Sequence, residues 1–111
     1  MEFTLPSELG YTIYSKSGCK FCTKLKNIFK SNQIPFTLVD CDDYLVEDRD
    51  NFILFMKQYM KKSLVSFPIL FCDKVCVGNY NKALQHLHIY HNIDITSNTD
   101  QTTLNFDDDS F

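Results

Sequence analysis

At 111 residues the chain suits one domain and cannot hold two independent cores. Its 44% hydrophobic and 14% aromatic content, with 3 Gly and 3 Pro, excludes disordered or collagen-like material. The net charge of −3 divides unevenly: residues 94–111 carry five Asp and no Lys or Arg, while residues 1–93 carry 11 Lys and Arg against 9 acids, a net +2 that argues against a nucleic-acid partner.

No run approaches the roughly 18–20 consecutive apolar residues of a membrane helix. Met1-Glu2-Phe3-Thr4 lacks the basic segment and apolar stretch of a signal sequence. No membrane contact is expected, and the expected location is the cytoplasm.

Tyr11-Thr12-Ile13-Tyr14-Ser15 is short and rich in β-formers, and Gly18 and Cys19 break it. From about Phe21 to Asn32, Phe21, Leu25, Ile28 and Phe29 recur at helical spacing against lysines on the other face. Asn32-Gln33-Ile34-Pro35 ends that helix, and Phe36-Thr37-Leu38-Val39 is a second strand. Cys41-Asp42-Asp43 leads to an amphipathic helix expected over Val46 to Met60.

After Phe67-Pro68, Ile69-Leu70-Phe71-Cys72 and Val75-Cys76-Val77 flank the turn candidates Asp73-Lys74 as a hairpin. Asn79 or Asn81 caps a last helix with Ala83, Leu84, Leu87 and Ile89 or Tyr90 on its apolar face, ending near Asn92. The order βαβα-ββα implies an α/β fold, a mixed sheet with helices packed on it. The expected organisation is a domain over 1–93 and a flexible acidic tail over 94–111.

Five cysteines cannot all pair within one chain, so some thiols are free, catalytic or metal-bound. Cys19-Lys20-Phe21-Cys22 falls where a strand ends and a helix begins, which sets Cys19 among unpaired N–H groups at the positive end of the helix dipole. Lys16 and Lys20 add positive charge, so the Cys19 thiol is expected well below its usual pKa. Cys22, one turn on, is expected to be more buried and to stay protonated until needed. Cys19 then attacks a disulfide and is released from the mixed disulfide by Cys22 or by an external thiol.

Other readings of the cysteines stand beside this one. Cys19 and Cys22 with Cys72 and Cys76 would make a four-thiolate zinc site if the hairpin reached the helix, and Cys41, Cys72 and Cys76 also suit small core positions with no chemistry. His86, His88 and His91 place at most two side chains on one helix face, so no metal is expected there.

These residues resemble a glutaredoxin of the thioredoxin fold. The family pattern runs strand, Lys-x-x-Cys-x-x-Cys, helix, then Thr-Val-Pro, a hairpin, and Gly-Gly with an acidic pair opening the last helix. The chain offers Lys16-Ser17-Gly18-Cys19-Lys20-Phe21-Cys22, Ser66-Phe67-Pro68 and Gly78-Asn79-Tyr80-Asn81-Lys82 in that order. The resemblance implies a four-stranded mixed sheet flanked by helices and an enzyme that reduces protein disulfides and glutathione mixed disulfides. Cys19 and Cys22 are its catalytic pair, glutathione its co-substrate, and no metal is implied.

It also implies a cis Pro68 that sets the Phe67 backbone beside Cys19, and a grip by Lys16 with Lys61 or Lys62 on the glycine-end carboxylate of glutathione. The far end of that ligand falls to Gly78, Asn81 and nearby backbone groups. The chain departs from the pattern in three places. Lys20 replaces a proline. Asn79, which tolerates positive φ, replaces the second glycine. Lys82 stands where the family usually has an Asp for the glutamyl amine, and a like charge there opposes the usual pose. A redox protein that does not use glutathione, and a module for zinc or an iron–sulfur cluster, are the alternatives; cluster-binding relatives usually carry Gly or Ser where this chain has Lys20 and Phe21.

Leu104-Asn105-Phe106-Asp107-Asp108-Asp109-Ser110-Phe111 resembles the C-terminal peptide of ribonucleotide reductase small subunits, which docks on the large subunit. That likeness implies a tether bringing the thiols to that enzyme; an acidic tail that only solubilises is the other reading.

Overall fold

The computed structural model describes residues 2–60 and 65–93, so Lys61, Lys62 and the whole of 94–111 lie outside the described residues. The elements are β1 (Tyr11–Ser15), α1 (Lys20–Ser31), β2 (Phe36–Asp40), α2 (Asp42–Glu47), α3 (Arg49–Lys57), β3 (Ile69–Cys72), β4 (Val75–Gly78) and α4 (Tyr80–His91). The four strands form one sheet in the order β2-β1-β3-β4, with β1 parallel to β2 and antiparallel to β3, and β3 antiparallel to β4. The expected mixed sheet is therefore present.

β1 has a hydrogen-bonded neighbour on each side and packing on both faces, which is why Thr12 to Ser15 are all buried. Side chains alternate across a strand. On one face Tyr14, Val39, Ile69 and Phe71 pack with Phe52 and Met56 of α3 and with Phe67. On the other, Ile13 and Leu70 pack with Leu25, Ile28 and Phe29 of α1 and with Ala83, Leu84 and Leu87 of α4. The apolar spacing that predicts α1 is the stripe it buries.

Two expectations need correction. The helix anticipated over Val46 to Met60 is two helices, because Asp48 leaves helical geometry at φ −152. The break is supported on both sides: Asp48 N–H donates to the Tyr44 carbonyl, Phe52 N–H donates to the Asp48 carbonyl, and the Asp48 carboxylate accepts from the Asn51 amide at 3.0 Å. The apolar face of α4 stops at Leu87, while Ile89 and Tyr90 are 70% and 68% exposed: Ile89 is turned off the buried face by helical rotation, and Tyr90, one turn past Leu87, is on that face but uncovered.

The hairpin turn is the anticipated Asp73-Lys74, both with positive φ (48° and 73°), the geometry that matches the twist of two short antiparallel strands. Asn79 caps α4 and Asn92 closes it in the left-handed conformation.

Phe52 ties α3 to the loop before β3. Its ring stacks on Phe67 at 6.3 Å with planes 2° apart, and packs against Phe3 at 5.3 Å and Tyr44 at 5.2 Å. Phe52→Ala is expected to cost about 3–5 kcal/mol, since nothing nearby can fill a fully buried ring's space. Urea unfolding monitored by circular dichroism checks this; a loss below about 1 kcal/mol contradicts it.

Candidate active site

The site lies where β1 runs into α1. Gly18, at φ 71°, turns the chain so that Cys19 becomes the N-cap of α1. Cys41 N–H donates to the Ser15 carbonyl at 2.8 Å, extending the parallel pairing one step past the strands. This carries Asp42 to the loop after β1, where its carboxylate accepts from Ser17 N–H at 2.8 Å and from the Ser17 hydroxyl. Those two donors hold the Asp42 carboxyl below the usual carboxylate range.

Cys19 is half-buried and Cys22 is 1% exposed. The Cys19 sulfur accepts the Cys22 N–H at 3.2 Å, satisfying one of the donors left free by the first turn of α1. No acidic residue lies in that turn.

The two thiols lie close enough that each affects the other's protonation. Cys22 is drawn down to about 7, first by the Cys19 thiol donating to it, with help from the Lys16 backbone, the Ser15 side chain and the charge of Lys26, and against its burial. Cys19 is pushed up by giving that hydrogen bond, by burial and by the adjacent Cys22 charge, while Cys22 N–H and Lys16 pull the other way. The direction for Cys19 runs against the expectation of a lowered pKa, while Cys22 is the more buried of the two, as expected. Passing a proton from Cys19 to Cys22 places the thiolate on the sulfur that solvent reaches, where Cys22 N–H and Lys16 favour it.

Alkylation of Cys19 by iodoacetamide should therefore rise with pH, its midpoint held up by the hydrogen bond to Cys22, by burial and by the Cys22 charge. In Cys22→Ala that hydrogen bond and that charge are gone, and the midpoint should move downward. An unmoved midpoint would show that the second sulfur contributes nothing.

Of the other anticipated residues, Lys16 and Phe67 lie beside this pair. Lys16 Nζ lies 6.0 Å from the centroid of the Phe67 ring. The Phe67-Pro68 bond is cis, and Phe67 is buried in the cluster that contains Cys22 and against which Cys19 packs. Gly78 is at φ 127°, and a Cβ there would come within 2.9 Å of Lys82 Cβ, so the position demands glycine. Asn81 and Lys82 are exposed on the first turn of α4. Asn79 does not use positive φ, contrary to expectation; at φ −84 it caps the helix by accepting Lys82 N–H at 3.4 Å. Lys62 lies outside the described residues.

Two contacts were not anticipated. One is the anchoring of the loop by Asp42, whose sequence signal is the acidic run after β2: the parallel register sets Asp40 opposite Ser15, so the residues just beyond meet. The other is the Phe21–Tyr80 ring pair, 4.7 Å between centroids, which joins the start of α1 to the start of α4. Neighbours this far apart in sequence leave no periodic mark.

The four-thiolate zinc arrangement is not formed. Cys76 packs against the cluster that holds Cys22, whereas Cys72 lies beside Tyr11 on the other face of the sheet. Among the described residues no group of three or more His, Cys, Asp or Glu could hold a metal ion. His86 and His91 instead converge on the Tyr11 hydroxyl at 2.8 and 2.9 Å. No helix among the described residues is long and apolar enough to cross a membrane.

A family model described as Glutaredoxin matches residues 11–77. The solved structures similar to this chain include the holo form of glutaredoxin C1 from Populus tremula × tremuloides, at 14% identity and TM-score 0.61, covering 76% of this chain and 79% of that one. Glutaredoxin 1 from Francisella tularensis, complexed with cacodylate, is similar at 25% identity and TM-score 0.57, covering 75% and 96%. Reduced Escherichia coli glutaredoxin is similar in fold at 18% identity and TM-score 0.57, covering 75% and 98%. Among curated protein sequences none matches the chain.

Proposed function

This chain belongs to the glutaredoxin family and is a thiol–disulfide oxidoreductase, and from that premise we propose that it reduces protein disulfides and glutathione mixed disulfides with electrons from glutathione. The observation that carries the reading is the Cys19–Cys22 pair itself: a sulfur at a helix N-cap that accepts the backbone N–H of a second, buried cysteine. Cys19 thiolate attacks one sulfur of the substrate disulfide, a new S–S bond forms as the old one breaks, and the departing thiolate takes up a proton. Glutathione thiolate then attacks the glutathionylated Cys19, giving oxidised glutathione and the free Cys19 thiolate. On a protein disulfide, Cys22 attacks instead, and two glutathione molecules reduce the resulting Cys19–Cys22 disulfide.

We assign Lys16, Lys62, Phe67, Pro68, Gly78 and Asn81, which stand at the positions of the family pattern, to holding glutathione. Lys16 meets a carboxylate, the Phe67 backbone pairs with the ligand's peptide, and Gly78 and Asn81 meet its far end. Five free thiols suit a reducing compartment such as the cytoplasm. Lys82 favours a second reading, a redox protein reduced by a dedicated protein reductant, because its ammonium opposes the glutamyl amine.

Glutathione-coupled reduction of hydroxyethyl disulfide tests both. Wild type and Cys22→Ser should turn over, and Cys19→Ser should fall by about a thousandfold or more, the scale on which loss of a catalytic nucleophile is read. No turnover by wild type with its dithiol titrating fully would select the second reading.

The tail carries a further proposal, that residues 104–111 dock on the large subunit of ribonucleotide reductase and deliver electrons to its disulfide. Its support is the acidic sequence bracketed by Phe106 and Phe111. Deleting 104–111 should abolish calorimetrically measured binding to that subunit, and unchanged binding would remove the proposal.

A further inference from the structure

We propose that the surface made by Lys20, Phe21, Lys24 and Tyr80 beside Cys19 selects disulfide substrates whose cysteine is flanked by acidic residues. This rests on the thiol–disulfide activity above and names its substrate class. Lys20 Nζ lies 5.5 Å and Lys24 Nζ 5.6 Å from the centroid of the Phe21 ring, so two ammonium groups are gathered on one aromatic platform. The ring is only 8% exposed and packs on Tyr80 at 4.7 Å, which holds the platform still.

Lys20 directly follows the accessible cysteine, and Lys24 is one turn further along the same face of α1. Among the described residues neither lysine has a carboxylate partner; the ion pair between Lys74 and Glu8, at 4.0 Å, involves neither of them. Residues 16–30 hold five lysines and no acid, so nothing on the helix neutralises the pair. Asp42, bound by Ser17 and followed by Asp43 at the start of α2, is acted on by the charge of Lys16, with neither Lys20 nor Lys24 among its leading influences. The site thus has a positive flank along α1 and a negative one at the start of α2.

A polypeptide is the occupant these charges suit, because the reacting atom at the edge of the patch is a sulfur nucleophile and its partner must carry a disulfide. Four residues of helix rise about 6 Å, and alternate residues of an extended peptide are about 6.6 Å apart. Lys20 and Lys24 therefore match an Asp-x-Asp or Glu-x-Glu spacing next to the substrate cysteine.

The test uses the full reduced protein and three synthetic peptides, each with one cysteine as a mixed disulfide with thionitrobenzoate, flanked by Asp-Ala-Asp, Ala-Ala-Ala or Lys-Ala-Lys. Release of thionitrobenzoate gives a second-order rate constant without glutathione. At about 20 mM salt the acidic peptide should react about tenfold faster than the basic one, and the difference should largely vanish near 1 M, where the Debye length is about 3 Å. Lys24→Glu should invert the order and Lys24→Gln should give an intermediate ratio. Equal rates for acidic and basic peptides at low salt, or a ratio unchanged in Lys24→Glu, would overturn the inference while the neutral peptide still reports an active dithiol. Release from none of the three would overturn the thiol–disulfide reading and this inference with it.

Discussion

Two parallel strands cannot be joined by a tight turn, so the chain between β1 and β2 must cross over the sheet, and here it does so as α1. The rest of the site follows from that crossover. It forces a helix to begin directly beyond the end of β1, which places Cys19 at an N-cap and Cys22 one turn inside, against the core. It also brings the end of β2 beside the end of β1, so that Asp42 can seize the Ser17 loop. The nucleophile's position is therefore a by-product of strand pairing, secured by a carboxylate some 25 residues away in sequence.

Burial and charge divide the work between the two sulfurs. Cys22, packed among Tyr14, Val39, Ile69 and Phe71, cannot meet a bulky substrate, but it can hold a proton or a negative charge a hydrogen bond away from Cys19. Cys19 is only half-buried, and its sulfur has the fixed Cys22 N–H donor. The low point of the pair's titration comes from the geometry of both residues, which a reading of Cys19 alone cannot supply. Behind them the Phe52–Phe67 stack and the cis Phe67-Pro68 bond form a rigid wall, and the Phe21–Tyr80 pair binds the opposite side.

Legibility in the sequence varied with how local each signal was. α1, the Asp73-Lys74 hairpin and the Asn79 cap could be read because their causes lie within a few residues: a 3.6-residue apolar period, two turn formers between β-rich runs, an Asn before a helical stretch. The break at Asp48 could not, since apolar spacing runs on across it and the interruption is held by backbone bonds on either side. Ile89 and Tyr90 misled because apolar character alone does not say where a helix leaves the sheet. The proximity of Asp42 to Ser17 and the separation of Cys72 from Cys76 onto opposite faces both depend on strand register, which two strands settle jointly.

The sequence by itself determined the strand–Cys-x-x-Cys–helix unit, the Phe-Pro and Gly78 positions, the concentration of lysines along α1 and the family they resemble, because each is written in adjacent residues and their spacing. Only the tertiary structure decided how each thiol acts on the other, which carboxylate fixes the loop, which aromatic ring gathers Lys20 and Lys24, and which cysteines stand apart from the site. Those are distances between segments separated in sequence, and they come into being only when the sheet closes and the helices pack onto its two faces.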